Sequence, residues 1–331
     1  MTHWQHVLRE IPVPSPENRM SHRIVSLLPA ATEIVCSLGG EAWLVGRSHE
    51  CDFPPSVQSL PICSRPRIDV SGSSRDIDER VKQTLRDGLS LFEVDVEQLN
   101  ELQPTLILTQ AQCEVCAVSL ADVEAALASR VGSHPRVVSL SPNCLNDVFD
   151  DIRRVAITLG VDERGEELVN DLANRLSHLS QGISRVESHR GERPLRPRVV
   201  CIEWLEPPMT AGNWVPELVG IAGGENLLSR PGHHSPWLDW SDLIAADPDV
   251  LVLMPCGWSI SRTRADLHWL LSRIEWSALK AVREGKVFIA DGHHYFNRPG
   301  PRLLDSAEIL AEILHPDLYN DGHRSSGWQP L

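Results

Sequence analysis

Two segments far apart in the chain repeat one pattern, and that repetition limits what the chain can fold into. "VDVEQLNELQPTLILTQ", from Val94, places a short amphipathic helix, then a proline, then an apolar run. "WSDLIAADPDVLVLMPC", from Trp240, does the same. Proline lacks the N–H that a helix interior needs, so it stops the helix. The unbroken apolar run that follows suits a strand buried on both faces, as in parallel sheets. Pro104 and Pro248 therefore take equivalent places. Leu106–Thr109 and Val250–Met254 are expected to be sister strands in two separate sheets.

Other strand signals fall around these two: "RIVSLLP" (Arg23–Pro29), "WLVGRS" (Trp43–Ser48), "RVVSLSP" (Arg136–Pro142), "RVVCIEW" (Arg198–Trp204) and "KVFIAD" (Lys286–Asp291). Helical patterns at Thr32–Leu38, Leu120–Ser129, Val215–Ala222 and Arg302–Leu314 alternate with them. Alternation of this kind implies βαβ units. The expected fold class is α/β, with two Rossmann-like lobes of parallel sheet. Between them Leu168, Leu172, Leu176, Leu179, Ile183 and Val186 form one stripe at helical spacing. Asp162 reads as its N-cap, with acidic residues in the first turn. A helix of this length spans about 40 Å. The expected domains are an N-terminal extension (1–22), a first lobe (23–145), a bridging helical segment (146–195), a second lobe (196–316) and a tail (317–331), with a ligand cleft between the lobes.

The net charge of -14 offers no basic stripe for phosphates, so nucleic acid is not an expected partner. No apolar run reaches the roughly 18–20 residues of a spanning helix. The first 20 residues show neither an apolar core nor a small-residue cleavage site. Together with eight scattered Cys, this makes the cytoplasm the expected location. Met20 is a candidate alternative start, and a different start would reopen a periplasmic location. There is no G-x-x-x-x-G-K and no G-x-G-x-x-G after the first strand, and no nucleophile elbow, so a hydrolase reading finds no anchor.

The only C-x-x-C, Cys113 and Cys116, follows a predicted strand and precedes a helix, where a redox dithiol could also sit. Metal binding there needs further ligands, and His49, Cys51 and Cys256 are the candidates, each following a predicted strand. No second pair fixes a geometry, so thiols lining a cleft without metal remain the plain reading. The pairs His233/His234 and His293/His294 read as solvated loop residues, because neighbours in a strand point to opposite sides. Trp240, Trp258, Trp269 and Trp276 read as ordinary core or surface.

Four stretches together resemble the helical-backbone (class III) periplasmic binding proteins of the iron-chelate and cobalamin type: "RIVSLLPAATEIVCSLGGEAWLVGRSHECDFPP", "CIEWLEPPMTAGNWVPELVGIAGGENLL", "SPWLDWSDLIAADPDVLVL" and "GHHYFNRPGPRLLDSAEILAEIL". The resemblance covers roughly Arg23 to Pro316. It implies a non-catalytic, monomeric binding protein with no required cofactor, holding cobalamin, another corrinoid or a metal chelate in the cleft. Its implied ligand contacts are Glu50, Gln110, Met209, Trp237, His294, Tyr295 and Arg298, with Trp204 near enough to add an aromatic face. It also implies an ABC permease as partner, met by exposed acids at Glu97 and, beside the matching Ser241, Asp242. Two alternatives stay open: a cytosolic metal-binding or redox protein using Cys113 and Cys116, and a cytosolic corrinoid sensor.

Overall fold

The computed structural model describes residues 22–111, 117–128, 134–189, 196–320 and 322–331. Two compact units are present. The first takes the chain up to Ser71, then Glu79–Pro142 and Asn146–Asn170; the second takes Gly72–Asp78, Asn143–Leu145 and Asp171–Leu331.

The first unit holds β1 (Ile24–Ser26), β2 (Leu44–Arg47), β3 (Ser64–Pro66), β4 (Phe92–Val94), β5 (Leu106–Gln110) and β6 (Arg136–Leu140). Its main sheet runs β2-β1-β5-β6 with every pair parallel, while β3 and β4 form a small antiparallel ribbon. All five residues of β5 are buried, as the unbroken apolar run requires. Val25, Leu27, Leu99, Ile107, Val118 and Val123 pack in one core around it.

The second unit holds β7 (Arg198–Trp204), β8 (Met209–Thr210), β9 (Glu225–Asn226), β10 (Val250–Leu253), β11 (Val287–Ala290) and β12 (Trp328–Pro330). The sheet runs β12-β11-β10-β7-β8, with β9 also on β7. The pairs β9–β7, β7–β10 and β10–β11 are parallel; β8 and β12 join antiparallel. The parallel series β9-β7-β10-β11 therefore repeats the order β2-β1-β5-β6. The sister strands expected from Pro104 and Pro248 are present, one in each sheet.

The helix expected between the lobes is one continuous element, Asp162–His189. Leu168, Leu172, Leu176, Leu179 and Ile183 are buried along its stripe. The Gly165 N–H bonds to the Val161 carbonyl, so the cap falls one residue before the Asp162 expected from sequence. Gly165 lets this helix approach the preceding one, since a Cβ there would lie 2.5 Å from Ala156 Cβ. No described helix is long and apolar enough to cross a membrane.

Residues 317–331 do more than trail. β12 closes the edge of the second sheet against β11, and Trp328 is buried.

Candidate functional site

Ligands of open α/β sheets bind at the carboxyl ends of the strands, so those ends are taken unit by unit. In the first unit the turn after β2 carries Ser48–Phe53. Cys51 is fully buried and its Sγ accepts a bond from Thr32 Oγ1 at 3.0 Å, with Ser48 Oγ at 3.3 Å. It plugs the base of the Pro29–Ser37 helix rather than presenting a thiol. His49 Nδ1 lies 3.0 Å from Ser64 Oγ and its ring meets Phe92. Burial holds the His49 pKa below the usual imidazole value, with Arg47 adding to the effect and Ser64 opposing it. His49 and Cys51 thus engage different partners. Glu50 is half-buried, its N–H on Ser48 Oγ at 3.1 Å.

Gln110 ends β5 with its side chain buried, Nε2 reaching the Ala117 carbonyl at 3.5 Å. Thr109 Oγ1 donates to the Val118 carbonyl at 2.7 Å. These bonds tie the end of β5 to Ala117 and Val118; Cys113 and Cys116 lie outside the described residues. Cys36, Cys63 and Cys201 are buried thiols held in the protonated form. Burial, the largest influence, pushes Cys63 up to about 12 and raises Cys36 further.

The second unit gathers a different chemistry at the same end of its sheet. Trp204 ends β7, pairs across the strand with Met209, and tilts against Trp258 at 5.5 Å. Met209 in turn bridges Trp237, a residue that is 56% exposed. Backbone bonds on both sides (Thr210 N–H to Pro236 O, Leu238 N–H to Pro208 O) fix the main chain that presents this open indole, an apolar face. Loops after β7, β10 and β11 are tied together: Cys256 N–H to Glu203 O, Gly257 N–H to Gly292 O, and His293 N–H to Trp258 O. Gly292 makes this possible, because a Cβ there would fall 2.2 Å from the Pro255 carbonyl oxygen.

After β11, Asp291 organises the loop. Its Oδ1 accepts the N–H groups of His293 and His294, each at 2.9 Å, and Oδ2 takes the His294 Nδ1 at 2.8 Å. Burial pushes the Asp291 carboxyl up, but the hydrogen bonds from His294 and His293 outweigh it and hold it below the usual range. In the tautomer that donates Nδ1–H to this carboxylate, the His294 lone pair sits on Nε2, the form that metals recognise. Arg298 is buried and donates to His293 Nε2 at 3.2 Å, so it braces the loop from behind. Tyr295 is half-buried, with the Arg302 guanidinium 5.5 Å from its ring centre. Cys256 is half-buried at the mouth of the β10 loop. Glu97 and Asp242 are both exposed, each in the first turn of the helix before its proline.

Trp204, Met209, Trp237, His294 and Tyr295 are thus brought to one end of one sheet, while Glu50 and Gln110 belong to the first unit. Sequence reasoning missed Asp291 and the supporting part of Trp258. The position of Asp291, one residue past a strand and two before a histidine pair, was the available signal for it.

Residues 24–293 match the periplasmic binding protein family. A vitamin B12-binding protein of Vibrio cholerae is 22% identical over 89% of this chain and 89% of its own. An ABC transporter substrate-binding lipoprotein of Bacillus subtilis, YvrC, is 21% identical over 90% of this chain and 82% of its own. Among solved structures, a periplasmic haem-binding protein from Pseudomonas aeruginosa superposes with a TM-score of 0.67 at 21% identity, covering 90% of this chain and 94% of that one. These matches overturn the cytoplasmic location expected from the first 20 residues: relatives across this length are named periplasmic proteins or a lipoprotein. That expectation rests on the N-terminal residues and the scattered thiols, whereas the match spans residues 24–293. Both cytosolic alternatives fall with that location.

Proposed function

The chain belongs to the periplasmic binding protein family, and from that premise we propose that its second unit grips a corrinoid or another flat metal chelate for delivery to an ABC permease. As a solute-binding protein it binds and releases; it does not catalyse. One observation carries the ligand class: Trp204, Met209 and Trp237 sit at the same end of a single sheet as His294 and Tyr295, the carboxyl end of β7 and β11. Large flat ligands are held by such faces, each apolar side chain fully buried contributing roughly 1.5–3 kcal/mol. Micromolar affinity needs about 8 kcal/mol net, within reach of three or four such contacts plus polar bonds. The names of the relatives, vitamin B12-binding and haem-binding, agree with that chemistry.

In this reading His294 Nε2 approaches the metal centre or a polar edge of the ligand, and Arg298 keeps the loop in place. Glu97 and Asp242 are the acids offered to the permease. Cys256 remains a rim thiol. The test is the absorbance spectrum and metal content of protein isolated from its native host. A corrin or porphyrin band with matching cobalt or iron is expected. A colourless, metal-free protein that also refuses cobalamin, cobinamide, haem and ferric chelates at high micromolar concentration would contradict the proposal.

A further inference from the structure

The end of the chain is tied into the loop that carries His294 and Tyr295. β12 pairs with β11, and the pairing continues one residue beyond it, where the Asp291 N–H bonds to the Gly327 carbonyl at 2.9 Å. The turn behind β12 closes on His323, whose carbonyl accepts the Gly327 N–H at 2.7 Å. His323 is anchored to the Leu303–Leu314 helix at two points: its backbone N–H reaches Glu312 Oε1 at 3.1 Å and its Nε2 meets Glu308 Oε2 at 3.1 Å. Its ring also meets the Tyr295 ring edge-on, 6.3 Å between centres.

We propose that His323 is a positioning residue for the ligand loop, clasping the chain end to Glu308 and Tyr295 so that ligand affinity follows its protonation. The proposal rests on the reading that the Asp291–Arg298 loop faces the ligand. The groups around the imidazole give the sign. Asp305, Glu308 and Glu312 approach from the helix, Tyr295 from the loop, while Arg175 holds the other Glu308 oxygen at 3.2 Å and Arg302 lies over Tyr295. Burial works against a charged imidazole, but the bond to Glu308 and the fields of Asp305, Glu308 and Glu312 outweigh it and raise the His323 pKa above its usual value. A raised pKa means that the clasp is tightest below the unfolded imidazole value and slackens as pH rises through the folded one.

The experiment follows hydrogen exchange of the Asp291 amide and the Kd for cyanocobalamin and for haemin, on the full chain from pH 6 to pH 8.5. Exchange rates are corrected for base catalysis. Amide protection should fall across this range and the Kd of the probe that binds should weaken by about fivefold, the difference between a charge-assisted and a neutral hydrogen bond. H323Q, which keeps a donor without titrating, should flatten both curves, and E308Q should do the same from the opposite side. A slope surviving in H323Q, or protection that titrates while the Kd stays flat, would overturn the proposal. Failure of both probes to bind at any pH, with titrating protection intact, would instead overturn the ligand reading beneath it.

Discussion

The two units solve the same folding problem with the same parts and then diverge at one end. In the first, Thr105 N–H bonds to the Arg23 carbonyl and the Arg23 N–H to Thr105 Oγ1; in the second, Asp249 N–H bonds to the Arg198 carbonyl and the Arg198 N–H to Asp249 Oδ2. Gly39 and Gly223 follow the helices that come after β1 and β7, with φ of 78° and 77°, a left-handed turn that glycine enters without strain. Gln103 and Asp247 take left-handed conformations immediately before Pro104 and Pro248. At the carboxyl ends the likeness stops. The first unit buries Cys51 and Gln110, whereas the second holds out Trp237 and half-exposes Trp204, His294 and Tyr295. The shared parts are those that any strand–helix–strand winding needs, and the divergent ones are free to carry recognition.

That comparison can be broken at Gly292. Gly292→Ala forces a Cβ onto the Pro255 and Met254 carbonyls, backbone atoms that cannot swing aside. A loss of about 3 kcal/mol is expected, read by urea unfolding, together with loss of ligand binding. Wild-type stability in that variant would mean that the loops of the second unit are not locked together.

Acid should separate the units in opposite directions. Burial raises Asp151 of the first unit to about 6, more than its neighbour Arg154 and the Ser141 N–H can offset. The stability tied to its protonated form is present below the unfolded carboxylate value and lost as pH rises through about 6. Asp249 of the second unit is pushed up by burial, but Lys280 and the Arg198 N–H bring it below its usual value. Its stability is present above the unfolded value and lost as pH falls through the folded one. Asp151→Asn should flatten the first slope and Asp249→Asn the second, measured by site-resolved hydrogen exchange between pH 3 and pH 7. One common slope for both units would refute the assignment.

The smallest effect lies in the caps. Asp95 accepts the Gln98 N–H at 2.9 Å, while Asp239, its counterpart, makes no side-chain cap bond. Asp95→Ala should cost about 1 kcal/mol and Asp239→Ala close to nothing. Equal losses in thermal melts would erase that contrast.

Much of this frame could be read in the residues. Pro104 and Pro248 announce the sister strands because proline leaves a helix no way to continue. The leucine stripe from Leu168 to Ile183 announces the long helix through its period. β12 could not be read the same way: "GWQPL" has only Trp328 and Leu331 as large apolar residues, with a proline between them, and it becomes a strand because β11 offers an open edge. The site was partly legible. Trp237 and His294 were named from a resemblance, but Asp291 acts through hydrogen bonds to a turn, and turn geometry leaves little periodic trace. Cys51 looked like a ligand beside His49 and is instead drawn inward by Thr32 and Ser48.

The measurement that bears most directly on recognition by the aromatic end of the second unit is calorimetric titration with cyanocobalamin and haemin of wild type, Trp237→Ala and Gln110→Ala. Wild type should bind one of the two at micromolar Kd or tighter. Trp237→Ala should weaken that binding by about tenfold or more without lowering the melting temperature, and Gln110→Ala should change it less. Binding untouched by Trp237→Ala and abolished by Gln110→Ala would contradict the account.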